Sequence, residues 1–241
     1  MRRQSWGMAR LIESIRAVAF DLDGTLVDTA PDLGAAANKM LMMLGHETLP
    51  AHRFRALIGD GIDQFIARTL TESLGKAPPR AALPDAAALF GRLYGERLFE
   101  QSRVYPGVPE ALRALNHAGM ALCCVTNKHS TFAMPLLEAA DLRHFFDFTL
   151  CADRVEKRKP NPDLLLAACD HLGVKPGEML YVGDSHTDVV AADAAGCRAV
   201  MVDYGYEDGR PLEEVRPDVI IGNLTEIVTV QVQPPALGGD G

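Results

Sequence analysis

The sequence predicts an α/β fold: a doubly wound parallel sheet with an all-helical segment inserted after its first strand. Three observations predict it. Short apolar runs alternate with stretches of helical periodicity along most of the chain, the pattern of a parallel sheet covered by helices on both faces. One span, 31–102, breaks this rhythm with helical spacing alone. The 241 residues, 48% apolar and 23% charged, suit an ordinary globular chain of one large domain or one domain carrying another.

The elements follow in order. Ala17-Val18-Ala19-Phe20 reads as a buried strand. In the inserted span, Leu33, Ala37, Met40, Leu41 and Leu44 repeat at helical spacing, and the run from Met40 to Leu44 reads as core of that unit. Further helices are expected near 54–57, 62–73 and 85–99, separated by Gly45, Gly59, Gly61, Gly75 and Pro78-Pro79. Gly59 and Gly61 either separate two helices or form a loop facing a substrate. Tyr105-Pro106-Gly107 marks the return to the sheet, with helices expected at 108–118, 131–140, 163–172 and 187–195. The remaining strands are expected at 121–125, 148–150, 179–182, 199–202 and 219–221. The expected division is a Rossmann-like core of 1–30 and 103–230, a helical cap of 31–102, and a frayed tail of 231–241 containing Pro-Pro and Gly-Gly.

A formal charge of −8 gives no electrostatic footprint for nucleic acid or an anionic membrane. No run approaches the roughly 18 apolar residues of a membrane span. The arginines of the first ten residues are not followed by an apolar signal core, and Met8 is an alternative start. The five cysteines lack zinc-site spacing and mostly lie in or beside apolar segments, so they read as core residues of a cytoplasmic protein.

The chemistry is expected where strands end, because ligands of doubly wound sheets bind outside the strands' carboxyl ends. Asp21 and Asp23 stand where the first strand runs out. Carboxylates there cost stability unless a hard cation or a phosphoryl group uses them. Thr126-Asn127 follows the second sheet strand, Lys159-Pro160 the third, and Gly183-Asp184-Ser185-His186-Thr187-Asp188 the fourth. Each cluster has a plainer reading. Asp-Gly is a turn pair, Thr126-Asn127 and Asp184/Asp188 are helix-capping residues, Lys159 ends a charged run, and His186 and Arg55 read as surface residues. Four clusters in this order favour a shared site.

The D-x-D-G-T motif from Asp21 to Thr25, the strand-end Thr126, Lys159-Pro160 and the G-D-x-x-x-D from Gly183 to Asp188 resemble the haloacid dehalogenase superfamily over nearly the whole chain. Within it, Val18–Asp28, Leu57-Ile58-Gly59-Asp60-Gly61, Val125-Thr126-Asn127-Lys128 and Tyr204-Gly205-Tyr206 are most similar to bacterial phosphoglycolate phosphatases. The resemblance implies Asp21 as nucleophile and Asp23 as general acid and base. It implies Mg²⁺ held by Asp21, Asp184 and the Asp23 carbonyl. It further implies Thr126, Asn127 and Lys159 as phosphate ligands, with Asp188 supporting Lys159 or a metal-bound water. The implied substrate is a small phosphorylated metabolite, 2-phosphoglycolate first. The alternatives are a sugar phosphate, N-acetylmuramic acid 6-phosphate, a β-phosphoglucomutase-like transfer, or a catalytically silent binding protein on the same fold. The protein is expected to act as a monomer or homodimer.

Overall fold

The computed structural model describes residues 14–206 and 216–231. The expectations for the first residues and for 232–241 fall outside them. Six parallel strands form the main sheet: β1 (Ala17–Phe20), β4 (Ala121–Thr126), β5 (Phe148–Cys151), β6 (Met179–Gly183), β7 (Arg198–Val202) and β8 (Val219–Ile221). Their spatial order is β5-β4-β1-β6-β7-β8, so the winding reverses at β1. This agrees with the predicted fold class.

The helices of this part are α4 (Val108–His117), α5 (Ser130–Ala139), α6 (Asp163–Leu172), α7 (His186–Ala195) and α8 (Thr225–Gln231). The side-chain alternation of β1 explains how they sort. Val18 and Phe20 face one core with Leu112 of α4, Leu136 of α5 and Ile227 of α8. Ala17 and Ala19 face the other, with Leu164 of α6 and Ala192 of α7. Every β1 side chain is buried, and fully burying a side chain as large as Phe20 contributes about 1.5–3 kcal/mol.

Between β1 and β4 lie α1 (Ala30–Met43), α2 (Ile62–Leu74) and α3 (Leu83–Gly95), with a 3₁₀ segment at Ala51–Leu57. Their apolar faces meet in a separate core of Met40, Leu41, Phe54, Phe65, Ile66 and Phe90. The sequence analysis missed a two-stranded antiparallel ribbon flanking this unit, β2 (Val27–Asp28) with β3 (Arg103–Val104). Asp32 closes the same junction. Its buried carboxylate accepts from the backbone N–H groups of Gln101 (2.8 Å) and Ser102 (2.9 Å) and from the Ser102 hydroxyl (2.5 Å).

Register aligns the strand ends. Phe20 stands opposite Cys124 on one side and Val182 on the other. Asp21, Thr126 and Asp184 therefore emerge along one edge of the sheet, at the point where strand order reverses.

Candidate active site

Asp21 follows β1, with its N–H on the Val182 carbonyl (2.9 Å). Gly24 then turns the chain at φ +89°. A Cβ there would lie 2.1 Å from Asp184 Oδ2, so only glycine permits this approach. Thr25 Oγ1 donates to Asp184 Oδ1 (3.1 Å), and the Tyr206 N–H donates to Oδ2 (2.7 Å).

Lys159 is buried behind Asp21. Its ammonium donates to Asp21 Oδ1 (2.9 Å), Asp188 Oδ1 (2.7 Å), the Tyr181 hydroxyl (2.6 Å) and the Val125 carbonyl (3.3 Å). Burial alone would depress its pKa, but Asp188 and Asp21 outweigh that and hold it above the ordinary lysine value. The sequence alternative of a solvated Lys159 is excluded by its 2% exposure.

Asp188 serves two purposes. Its Oδ2 accepts from the N–H groups of Asp184 and Ser185 and from Ser185 Oγ, in a capping box that opens α7. Its Oδ1 faces Lys159 and Tyr181. The carboxylate thus caps the helix with one oxygen and holds Lys159 with the other. Burial pushes the Asp188 carboxyl up, but Lys159 and the surrounding hydrogen bonds prevail and hold it below the usual carboxylate range.

Asp21, Asp184 and Asp188 bring carboxylate oxygens within 4.8 Å of one another. Burial pushes Asp21 up to about 6, with Lys159 opposing and Asp188 reinforcing. Burial, Asp188 and Asp21 likewise raise Asp184 well above the carboxylate range. Buried oxygens that resist carrying negative charge suit a hard divalent cation. Both Asp188 oxygens already accept several hydrogen bonds, which leaves Asp21 and Asp184 as the better placed ligands.

Asp23 lies outward of Asp21. Thr29 Oγ1 donates to its Oδ1 (2.6 Å), and the Lys128 ammonium reaches both its oxygens (3.0 and 3.1 Å). Thr126 is buried, and its Oγ1 accepts from the Lys128 N–H (3.2 Å). Asn127 differs from its expected use. Its amide donates to the carbonyls of Gly59 (3.1 Å) and Lys159 (3.0 Å), and its Oδ1 accepts from the Lys159 N–H (3.0 Å). The carboxamide ties two loops together instead of facing a phosphate, although the residue still lines the cavity.

That cavity holds Asp21 and Asp23 on its inner side. Thr126 and Lys128 lie beside them, and Ile58, Phe65, Tyr94 and Phe132 form apolar wall. It encloses about 40 Å³, on the scale where one water takes roughly 10–15 Å³. Gly59 and Gly61 line it, which decides their open reading in favour of a cavity-facing loop. Asp60 between them accepts from Thr187 Oγ1 (3.2 Å) and pairs with Arg68. Arg55, expected on the surface, pairs with Asp28 and lies over the Tyr206 ring.

The sequence analysis gave no role to Lys128, Tyr94, Tyr181 or Tyr206. Lys128 stands beside a singled-out pair and could have been flagged by position. The tyrosines reach the site only through tertiary packing, although Tyr206 stands in a motif already quoted for its resemblance. Tyr206 Oη accepts from the N–H groups of Thr29 (2.6 Å) and Ala30 (2.9 Å), capping α1 from across the chain.

Fold and site together define a hydrolase built around a strand-end aspartate on a doubly wound sheet. The family model described as haloacid dehalogenase-like hydrolase matches residues 18–202, and the chain belongs to this family. It is 46% identical to a phosphoglycolate phosphatase of Nitrosospira multiformis over 212 residues, covering 88% of this chain and 93% of the relative. It is 39% identical to a phosphoglycolate phosphatase of Escherichia coli K12, covering 94% of each. The crystal structure of a predicted phosphoglycolate phosphatase from Haemophilus somnus superposes with a TM-score of 0.84 at 32% identity, covering 91% of this chain and 99% of that one. No helix of the described residues is long and apolar enough to cross a membrane.

Proposed function

We propose that this protein is a Mg²⁺-dependent phosphomonoesterase that converts 2-phosphoglycolate and water to glycolate and phosphate through an aspartyl-phosphate. Asp21 and Asp184, with the Asp23 carbonyl, would hold Mg²⁺, which supplies positive charge against the substrate's phosphate dianion. A carboxylate oxygen of Asp21 attacks phosphorus as the bond to the leaving oxygen breaks, and Asp23 gives that oxygen its proton. Asp23 then takes a proton from water, whose oxygen attacks phosphorus and frees both phosphate and the Asp21 carboxylate. Lys159 offsets charge on Asp21 and the transferring group. Thr126 and the main chain at Asn127 contact the phosphoryl oxygens. Asp188 keeps Lys159 in place. The segment 31–102 acts as a cap that excludes bulk water.

The observation that carries this reading is the convergence of Asp21 and Asp184 from separate strand ends with Lys159 from the loop before α6, and with Asp23 beside Asp21 in the cavity. The names of the relatives support glycolate as the leaving group. Five free, buried cysteines support a reducing, cytoplasmic setting. The test is phosphate release from 2-phosphoglycolate with Mg²⁺. Asp21→Asn should lower kcat by about 10⁴-fold or more, as expected for loss of a nucleophile. Undiminished release by the purified variant would remove Asp21 from the reaction.

A further inference from the structure

Three features on the outer side of the cavity have no use in the chemistry above. Lys128 is the one lysine or arginine among the described residues that line the cavity. Its side chain is 7% exposed, and its ammonium meets the Asp23 carboxylate. An ammonium has three donors, so contact with one carboxylate leaves it capacity for another acceptor. Tyr94 comes from α3, in the inserted helical unit, and also lines the cavity. Its ring lies 4.8 Å from the Lys128 ammonium, and its buried hydroxyl, which feels that ammonium, makes no hydrogen bond of good geometry and donates to no described residue. A buried hydroxyl left unsatisfied costs about 1–3 kcal/mol, so a ligand that engages it gains accordingly.

Four nearby basic residues do not offer the same. Arg55 is paired with Asp28, and Arg68 with Asp60. His129 lines the cavity, but its Nδ1 accepts the Thr131 N–H (3.2 Å). Lys159 is enclosed by its own acceptors.

We infer that Lys128 and Tyr94 form the leaving-group subsite, a receptor for a carboxylate borne by the leaving alcohol. This inference rests on the phosphatase reading and names the residues that choose its substrate. Asp23, which hands the proton to the leaving oxygen, is the residue Lys128 touches. A carboxylate one carbon from that oxygen therefore falls within reach of the ammonium. Tyr94 donates its hydroxyl proton to the same carboxylate. One partner comes from the sheet domain and the other from the helical unit, so the receptor exists only when the two are together.

The test compares kcat/KM for 2-phosphoglycolate with that for ethyl phosphate, which replaces the carboxylate by a methyl group. The natural protein should prefer 2-phosphoglycolate. Lys128→Met should shrink that preference by about 10- to 100-fold, mainly through KM, the range of a charge-assisted hydrogen bond. Tyr94→Phe should shrink it by roughly 3- to 10-fold, as for one neutral hydrogen bond. Equal losses on both substrates would mean that Lys128 acts only through Asp23, and would overturn the subsite. If Lys128→Met does not fold, product inhibition of the natural protein decides. Competitive inhibition by glycolate, with none by ethanol at equal concentration, supports the receptor, and equal indifference to both refutes it. Failure of the natural protein to release phosphate from either ester would defeat the phosphatase reading itself.

Discussion

The two buried lysines of the candidate site, Lys128 lining the cavity and Lys159 behind Asp21, divide that site into unlike halves. Lys159, on the inner side, has four acceptors within 3.3 Å, all from the sheet domain. Lys128, on the outer side, has one carboxylate and an aromatic face, and the tyrosine beside it carries a hydroxyl that donates to no described residue. A buried polar network that is fully paired is rigid, and one with a member unpaired awaits a partner. The inner lysine is thus fully paired in the folded chain, and the outer one keeps donor capacity for a partner. On the proposed reading, reaction and selection reside in different halves.

The largest effect expected from breaking this contrast is at Lys159. Lys159→Met leaves Asp21 and Asp188 buried without their counter-charge, a loss of about 3–5 kcal/mol. For a domain of this size that lowers Tm by roughly 6–20 °C. Lys128→Met should cost less than half as much, because Asp23 is closer to solvent and keeps the Thr29 hydroxyl. Equal Tm losses in a thermal melt of the two variants would erase the distinction.

A middling effect concerns metal and pH. Burial raises the Asp21 carboxyl to about 6, so above that pH it is ionised and free for Mg²⁺, while below it a proton competes. Titration calorimetry should show Mg²⁺ affinity falling by up to tenfold per unit from the Asp21 proton alone as pH drops below about 6, with the raised Asp184 carboxyl adding to the loss. Affinity unchanged down to pH 5 would argue against Asp21 as a ligand. The smallest effect is at the junction. Tyr206→Phe removes the hydroxyl that caps α1 and should cost about 0.5–2 kcal/mol, a Tm loss of a few degrees. No change in Tm would show that water replaces this cap without penalty.

Much of the inner half was legible in the sequence, and the reason is geometric. Asp21, Thr126 and Asp184 each follow an apolar strand, and parallel register brings such ends together without further information. Lys159 was legible by its place before Pro160, although it also ends a charged run that reads as a solvated face. The outer half was not legible, because Lys128 and Tyr94 meet only through packing of α3 against the sheet domain. Tyr94 repeats with Phe90 at helical spacing, which reads as core, and it does stack there. The β2–β3 ribbon was missed because two-residue strands carry no periodicity. Asn127 was singled out by its place after a strand, and it lines the cavity, but its side chain bonds the Lys159 and Gly59 main chain, a partnership that spacing alone could not reveal.

The most direct test of the central claim is kcat/KM for 2-phosphoglycolate beside glucose 6-phosphate, each with Mg²⁺ and with a chelator. The account predicts Mg²⁺-dependent release with a preference for 2-phosphoglycolate of about tenfold or more, equivalent to roughly 1.4 kcal/mol of transition-state binding. An equal or greater preference for glucose 6-phosphate, or undiminished release after chelation, would contradict it.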